Sequence, residues 1–261
     1  MIDIHTHILP GVDDGARDLS VSLEMLEQAV NDSITHLICT PHVLSKVNQE
    51  WATRCLDTFD QLQNEVGKRG WQIELFLGGE IYLQANLLDY SHHRFFTLDP
   101  GGKYILLELP VIEIPQFTEK MIFELKMKGY YVVLAHPERN ATIVGHVSRV
   151  STLVERGALM QINAGSLLGR FGSEVEEFSR TLLKNNLVHF VASDAHDPRS
   201  RKPVLSKGYA WVEENAGGET ANRLFTLNPQ ALLRGEEITV PERIEPLEEP
   251  GFLRRILGKF F

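Results

Sequence analysis

Two histidines near the start of the chain could hold a metal ion between them. His5 and His7 are separated by one residue within Asp3-Ile4-His5-Thr6-His7, directly after an apolar start. Alternate residues of a β-strand point to the same side, so both imidazoles can reach one point in space. Mn, Fe and Zn accept imidazole and carboxylate ligands together. The pair therefore predicts a metal site at the end of a first strand.

Similar polar motifs recur along the chain, and nearly all of them follow a strand-like apolar run. They are Asp13-Asp14, Thr40-Pro41-His42, Gly79-Glu80, Glu108, His136-Pro137-Glu138-Arg139 and Ser193-Asp194-Ala195-His196. Buried together without a cation, such imidazoles and carboxylates would repel one another or stay unpaired, at a cost of several kcal/mol each. The recurrence therefore predicts a polynuclear metal enzyme. The histidines outside these motifs are expected to be structural or loop residues; they are His36, His92, His93, His146 and His189.

Composition limits the function further. The net charge is −9, which argues against a nucleic-acid surface. The only two cysteines, Cys39 and Cys55, form no Cys-x-x-Cys pattern, and neither begins a Cys-x5-Arg phosphatase loop. Two free thiols favour a reducing compartment. We also find no secretory signal and no apolar run near the ~20 residues of a membrane span. A cytoplasmic protein is therefore expected.

Strand-like apolar runs alternate with helical patterns. Strands are predicted at residues 2–4, 35–39, 73–77, 104–109, 131–135, 159–162 and 188–191. Helices are predicted at 20–31, with Ser20 as the N-cap, at 48–68, 117–128, 146–156 and 173–184, and through most of the remaining chain. Such a series of about seven βα units predicts parallel strands joined by right-handed crossovers.

A closed or nearly closed barrel fits this pattern better than an open sheet. Polar residues follow nearly every strand, whereas an open sheet would place them at the two strands of a switch point. In a barrel, the carboxyl ends of all strands surround one mouth, where the active site lies. The predicted fold is α/β, a distorted (β/α)7 TIM-like barrel over residues 1–240.

Residues 241–261 differ from the rest of the chain. An acidic linker leads into residues 252–261, where apolar side chains at helical spacing accompany Arg254, Arg255 and Lys259. A basic amphipathic helix of this kind can lie on an anionic membrane surface. The alternative is that it covers the protein's own core or a subunit contact. Peripheral contact with the inner membrane through 252–261 is thus one of two predictions.

The motifs together resemble those of the polymerase-and-histidinol-phosphatase (PHP) superfamily of metal-dependent phosphoesterases. Within it, residues 1–236 look most like the bacterial capsular-polysaccharide protein-tyrosine phosphatases. A His-x-His pair alone would not separate this group from amidohydrolases. The resemblance is carried by the string from His5 to Gly15, and by Thr40-Pro41-His42, Gly79-Glu80, Ala135-His136-Pro137-Glu138-Arg139 and Ser193-Asp194-Ala195-His196.

The resemblance implies the PHP fold with three divalent ions, most often manganese, with iron or zinc as alternatives. By motif matching, the first ion takes His5, His7, Glu80 and Asp194; the second shares Glu80 and adds Glu108 and His136; the third takes Asp14, His42 and His196. Asp13 is an alternative to Asp14, since adjacent residues face different ways. Arg139 matches an arginine that holds phosphate. The second such arginine is Arg201 or Arg199, of which Arg201 is favoured.

The implied function is hydrolysis of phosphotyrosine. Our mechanistic hypothesis is that His42 or a metal-bound water protonates the leaving phenolate. The implied substrate is a membrane-associated tyrosine autokinase that controls capsular or exopolysaccharide synthesis, and the family suggests a homo-oligomer. Two other functions remain open. One is hydrolysis of a small phosphomonoester such as histidinol phosphate. The other is a catalytically silent regulatory module that keeps its metals for stability.

Overall fold

The computed structural model describes residues 1–44, 48–244, 246–247 and 250. Strands and helices alternate along the chain. The strands are β1 (Ile2–Thr6), β2 (His36–Cys39), β3 (His42–Val43), β4 (Glu74–Leu77), β5 (Glu80–Tyr82), β6 (Tyr104–Glu108), β7 (Tyr131–Ala135), β8 (Ala158–Asn163) and β9 (Phe190–Ala192). The helices are α1 (Leu19–Asn31), α2 (Gln49–Arg69), α3 (Thr118–Met127), α4 (Val147–Glu155), α5 (Ala164–Leu167), α6 (Ser173–Lys184), α7 (Ser206–Ala216), α8 (Gly218–Asn222) and α9 (Asn228–Leu233).

The strands are all parallel and together close a distorted barrel. One sheet has the order β1-β2-β4, and the other has the order β3-β5-β6-β7-β8-β9. Two short breaks, after β2 and after β4, divide single barrel positions into β2–β3 and β4–β5, so the nine strands occupy seven positions. The barrel closes between β1 and the end of β9, where His7 N donates to Ala195 O (2.8 Å) and Asp194 N donates to His5 O (3.0 Å). The predicted distorted (β/α)7 barrel is confirmed.

The two breaks turn side chains toward the barrel mouth. Pro41 follows β2 and has no N–H to continue the ladder. At Gly79, which follows β4, a Cβ atom would lie 2.7 Å from both Phe95 O and Val43 Cγ2. Pairing resumes immediately afterwards with His42 opposite Glu80 in the parallel register. The breaks therefore place two of the predicted metal ligands beside each other.

Alternate strand residues separate the core into an inner and an outer layer. In β6 and β7, Leu106 and Val133 pack in the cluster that fills the barrel, whereas Leu107 and Leu134 pack in the larger cluster beneath the helices. This alternation is what a barrel strand buried on both faces requires. Because side chains fill the barrel, the polar groups at its carboxyl end form a shallow mouth rather than a channel.

The five helices predicted with definite bounds agree with the structure to within about two residues at each end. The prediction that most of the remaining chain is helical was wrong in part, because residues 193–205 and 234–244 form no helix. One N-cap was wrong: α1 is capped by Asp18, whose Oδ1 accepts a hydrogen bond from Val21 N at 2.9 Å, and Ser20 lies inside the first turn. The sequence also did not predict β3 and β5 as separate strands, because they span only two and three residues.

The start of the predicted tail packs on the barrel domain. Asn186 Nδ2 donates to Glu242 O at 2.9 Å, and Arg243 forms an ion pair with Glu155 of α4. The amphipathic segment 252–261 lies outside the described residues. Among the residues described, no helix is both long enough and apolar enough to cross a membrane.

Candidate metal centre

All nine predicted metal ligands lie together at the carboxyl end of the barrel. Their donor atoms form four overlapping groups, and within each group the atoms lie within 4.8 Å of one another. The groups are His7, Asp14, His42 and His196; His5, His7 and Glu80; His5, His136 and Asp194; and His42, Glu80 and Glu108. The three ligands predicted for the third ion, Asp14, His42 and His196, lie in one group, which also contains His7. The division of the other ligands between two ions stays a prediction.

Glu80 occupies the middle of the cluster. Its Oε2 atom lies 3.4 Å from His5 Nε2, 3.3 Å from His7 Nε2 and 2.9 Å from His42 Nδ1. His136 Nε2 lies 2.9 Å from the other carboxylate oxygen. The side chain is fully buried, which by itself would raise the pKa, but the surrounding histidines hold the pKa of Glu80 well below its ordinary value. Glu80 is therefore ionised, and four histidine rings direct a nitrogen at its carboxylate.

Several buried atoms at this point have no hydrogen-bond partner among the described residues. They are Glu80 Oε2, Asp194 Oδ1 and His42 Nδ1. The 2.9 Å approach of His42 Nδ1 to Glu80 Oε2 lacks the angles of a hydrogen bond. The Nε2 atoms of His5 and His7 also face each other at 3.1 Å. Buried polar atoms normally have partners, because leaving them unpaired costs free energy. Nitrogen and oxygen lone pairs that converge without hydrogen bonds fit divalent cations, so the donor set matches the metals that the resemblance implies.

Outer hydrogen bonds aim His5 of β1, and His7 directly after this strand, at the cluster. His5 Nδ1 donates to Gln161 Oε1 at 2.9 Å, and His7 Nδ1 donates to Asp13 Oδ2 at 2.8 Å. Each bond leaves Nε2 turned to the centre, as in metal sites where a second residue fixes the ring. Burial opposes both charges, yet the ion pair raises the pKa of His7 to about 10 and lowers that of Asp13 to about 2. A cation bound at His7 Nε2 would displace the proton that this nitrogen carries in the charged form of the ring.

The structure distinguishes Asp13 from Asp14. Asp13 is tied into its loop, since its carboxylate also accepts from Gly15 N at 3.0 Å and from His42 N at 3.1 Å. Asp14 Oδ1 instead lies 3.3 Å from His42 Nε2 and 3.5 Å from His196 Nε2. Asp14 thus faces the cluster, and Asp13 positions His7.

The loop that carries both aspartates depends on Gly15. A Cβ atom there would lie 2.0 Å from His7 O and 2.5 Å from His7 Cβ. Only glycine allows the chain to pass so closely over His7. This close passage sets the course of the loop that places Asp13 against His7 and Asp14 near His42.

We expect substitutions of the two aspartates to differ in kind. Asp14→Asn should lower the bound metal by one ion per chain and reduce aryl phosphate turnover about a hundredfold, without rescue by excess metal. Asp13→Asn keeps an oxygen that can accept from His7, so it should weaken metal affinity about tenfold, and excess metal should rescue it. Elemental analysis and manganese titrations of activity measure both effects. If excess metal restored the activity of Asp14→Asn but not that of Asp13→Asn, Asp13 would be the metal ligand and Asp14 the residue in the supporting role.

Asp194 joins the cluster to two arginines. Its Oδ2 atom accepts from Arg139 Nη1 at 2.7 Å and from Asn163 Nδ2 at 2.7 Å, and lies 2.5 Å from Arg201 Nη2. Its Oδ1 atom lies 3.6 Å from the Nε2 atoms of both His5 and His7. Arg199, in contrast, is exposed on a turn whose backbone is held by Asp197. The structure therefore places Arg201, and not Arg199, beside the candidate centre.

Backbone strain is concentrated at two of these residues. His136 (φ 30°) and Asp194 (φ 52°) both adopt left-handed conformations, which cost residues other than glycine about 1–3 kcal/mol each. After His136, buried Glu138 accepts from Asn163 N at 2.9 Å and from Ser166 Oγ at 2.7 Å. These bonds hold the turn that presents Arg139.

The sequence did not single out the residues of β8 that support the centre. Gln161 orients His5 and also donates to Asn163 Oδ1 at 2.9 Å, and Asn163 in turn holds Asp194. A signal was present, because these two polar residues alternate in an otherwise apolar strand and so share one face.

The remaining histidines and the cysteines take no part in the cluster. His189 Nδ1 accepts from Met160 N at 2.9 Å, and burial lowers its pKa to about 4. His36 is half-buried beside Thr35. Burial raises the pKa of Cys39 and brings that of Cys55 to about 12, so neither thiol supplies a thiolate near neutral pH.

Comparison with known proteins supplies the family. A model of the capsular polysaccharide synthesis family CpsB/CapC matches residues 1–234. The chain belongs to this family. Tyrosine-protein phosphatase YwqE of Bacillus subtilis is 38% identical, over 91% of this chain and 93% of that protein. The predicted family and its phosphatase class are confirmed by these matches.

Solved structures agree on the fold. A structure described as YwqE from B. subtilis and CpsB from Streptococcus pneumoniae, metal-dependent tyrosine phosphatases, superposes with a TM-score of 0.86 at 36% identity. That match covers 94% of this chain and all of the other. A histidinol phosphate phosphatase from Lactococcus lactis gives a TM-score of 0.50 at 12% identity, covering 86% of this chain and 96% of that one. The second match reflects a shared barrel only.

Proposed function

We propose that this protein is a tyrosine-protein phosphatase that uses three divalent cations, most often manganese, held by the nine clustered ligands. The observation that carries the proposal is the joining of that cluster to Arg139 and Arg201 through one carboxylate, Asp194. Cations held by the cluster and the guanidinium groups of the two arginines would together offset the negative charge of a phosphoryl group bound beside Asp194. No thiolate is needed for such a reaction.

The arginines would bind and orient the phosphate. Both are partly exposed at the mouth, and each guanidinium keeps further N–H groups beyond the one directed at Asp194. Phosphoryl oxygens could accept from these groups while facing the metal ligands. Bound divalent cations would supply charge neutralisation and lower the pKa of an attacking water toward ~7. The arginines then neutralise charge that develops on the remaining phosphoryl oxygens.

A cavity beside the cluster fits the ring of a phosphotyrosine. Its volume is about 530 Å³, and Val12, Leu44, Trp51 and Tyr82 line it together with ligand residues such as His42. Apolar and aromatic walls next to charged groups would bind an aryl ring and direct its ester oxygen to the centre. This cavity favours an aryl phosphate over a small polar phosphomonoester such as histidinol phosphate.

His42 is better placed as a ligand than as a proton donor. Its ring nitrogens belong to two of the four donor groups, Nε2 beside Asp14 and Nδ1 beside Glu80, so a bound cation would replace the proton that a donor needs. Tyrosine has an ordinary pKa of ~10 and leaves comparatively easily. We therefore assign His42 to the metals, and the leaving phenolate needs little acid assistance.

The wider biological setting rests on the family. We propose a phosphotyrosyl protein of capsular or exopolysaccharide synthesis as the substrate, in particular a membrane-associated tyrosine kinase. The intact ligand set with its arginines argues against a catalytically silent module. Cytoplasmic location, inner-membrane contact through 252–261 and self-association stay predictions.

The test is a substrate panel measured with the manganese-loaded protein. A phosphotyrosyl peptide, histidinol phosphate and para-nitrophenyl phosphate are compared by kcat/KM. We expect the peptide to exceed histidinol phosphate by at least about a hundredfold. The reason is that histidinol phosphate is an alkyl ester with a small polar imidazole, whereas the cavity lined by Trp51 fits a phenyl ring attached directly to the phosphate. A higher kcat/KM for histidinol phosphate than for the peptide would show that the substrate is a small phosphomonoester and not phosphotyrosine. No turnover of any member, with metal content verified, would support a silent module.

A further inference from the structure

A second cavity, lined by cationic side chains, lies beside Arg201. Its volume is about 620 Å³, and its lining includes Arg170, Phe171, Arg201, Lys202 and Lys207 but no acidic residue. The lining residues come from the segments that follow β8 and β9, so the cavity opens on the same end of the barrel as the ligand cluster. We call it the basic cavity.

The cations of the basic cavity are gathered in one place without an acidic residue in the lining. The chain has a net charge of −9, and several of its other arginines, such as Arg156, pair with carboxylates. Within the described part of the chain, no carboxylate lies within ion-pair distance of Arg170, Lys202 or Lys207. Like charges gathered without a counter-charge repel one another, and an anionic ligand would offset that repulsion.

Two side chains connect the basic cavity to the candidate phosphate site. Arg201 lines the cavity and also contacts Asp194, while its buried Nε atom has no hydrogen-bond partner among the described residues. The ring of Phe171, also in the lining, lies 4.5 Å from the Arg139 guanidinium. When the phosphotyrosine of a peptide reaches Arg139 and Arg201, a neighbouring residue of the peptide would therefore lie at the basic cavity.

We propose that the basic cavity binds an anionic side chain next to the scissile phosphotyrosine, so that the substrate is an acidic peptide segment. The proposal rests on the proposed phosphatase function. The shared chemistry is a carboxylate or a second phosphate group. Phe171 and Leu168 add an apolar wall against which the stem of such a side chain can pack. On a protein that would otherwise repel acidic peptides, the cavity supplies local attraction.

The experiment uses the full manganese-loaded chain and matched phosphotyrosyl peptides. Alanines, aspartates or a second phosphotyrosine flank the scissile residue, on one side and then on the other. We expect kcat/KM to rise about tenfold for both anionic series over the alanine series, on one side only. If kcat/KM rises only with a second phosphotyrosine, the cavity binds phosphate specifically. If it rises with aspartate and with phosphotyrosine, the cavity binds either anion.

Lys207→Glu is the diagnostic variant. Lys207 is exposed in the first turn of α7, where a glutamate is well tolerated, so the variant should fold. We expect the preference for anionic flanks to fall from about tenfold to about twofold or less, and turnover of para-nitrophenyl phosphate to stay unchanged. Lys184→Glu makes the same charge change at the exposed end of α6, before β9 begins and thus at the opposite end of the barrel. It should retain the preference.

The outcomes separate the two proposals. No hydrolysis of peptide or para-nitrophenyl phosphate by wild-type protein would overturn the phosphatase function itself. Hydrolysis of all peptides at equal rates would overturn only the role of the basic cavity. A preference that survives Lys207→Glu, or that Lys184→Glu abolishes equally, would also overturn it, because the attraction would then come from the whole protein.

Discussion

Removal of divalent cations should abolish phosphomonoester hydrolysis, and manganese should restore it. The donor atoms around Glu80 converge at 2.9–3.4 Å, and some of them lack hydrogen-bond partners within the described chain. Cations are the partners that such a set of carboxylates and imidazoles requires. Without them, water is not activated near neutral pH, and the arginines alone cannot neutralise the phosphoryl group. Turnover of para-nitrophenyl phosphate after chelation, dialysis and metal addition measures the effect.

The same experiment has a readout independent of activity. Ligands that bind only the folded chain stabilise it, by about 2.7 kcal/mol at a concentration a hundredfold above the dissociation constant. For a chain of this size, chelation should therefore lower the thermal midpoint by about 5–10 °C. Elemental analysis before and after treatment confirms removal. Full activity in a sample shown to be free of metal would contradict the assignment of the cluster.

Arg201→Ala should cause the second large loss, lowering kcat/KM for an aryl phosphate by about 10²–10³-fold. Removal of one preorganised donor to a developing negative charge commonly costs this much. Arg201 also holds Asp194 with its Nη2 atom at 2.5 Å, so metal content must be measured in the same samples. Arg201→Lys keeps the charge but loses the planar fork, and it should recover only part of the rate.

Arg199→Ala provides the matched control, two residues away on the same loop. Arg199 is exposed and lies away from Asp194, so its loss should change kcat/KM by no more than about twofold. A large loss in Arg199→Ala with a small one in Arg201→Ala would reverse the assignment. If Arg201→Ala lost metal and activity together, Arg201 would be a positioning residue for Asp194 and not a group that contacts phosphate.

The local order of the chain, with the family resemblance, was enough to predict which residues cluster at the mouth and to predict the barrel. Residues two apart in a strand share a face, so His5 and His7 could be paired without knowledge of any other contact. Strand and helix periods repeat within windows of about 5–15 residues, and seven such units with polar ends predict a barrel with its site at one mouth. The absence of a Cys-x5-Arg loop likewise needed no structure.

The tertiary structure decided questions that depend on contacts between distant residues. Which of Asp13 and Asp14 faces the cluster depends on the passage of Gly15 over His7. Which arginine meets Asp194 depends on how the loop after β9 folds back. The supporting bonds from Gln161 and Asn163 of β8 join residues that lie more than thirty positions from their partners.

The basic cavity shows the same division. The sequence by itself determined that Arg170, Lys202 and Lys207 are cationic, but nothing in its local pattern brings the loop after β8 beside the loop after β9. What the sequence determined about this protein is therefore the types of the residues in its candidate metal centre and the order of its strands. Only the tertiary structure decided which atoms face one another, because parallel strands far apart in the chain become neighbours only when the barrel closes.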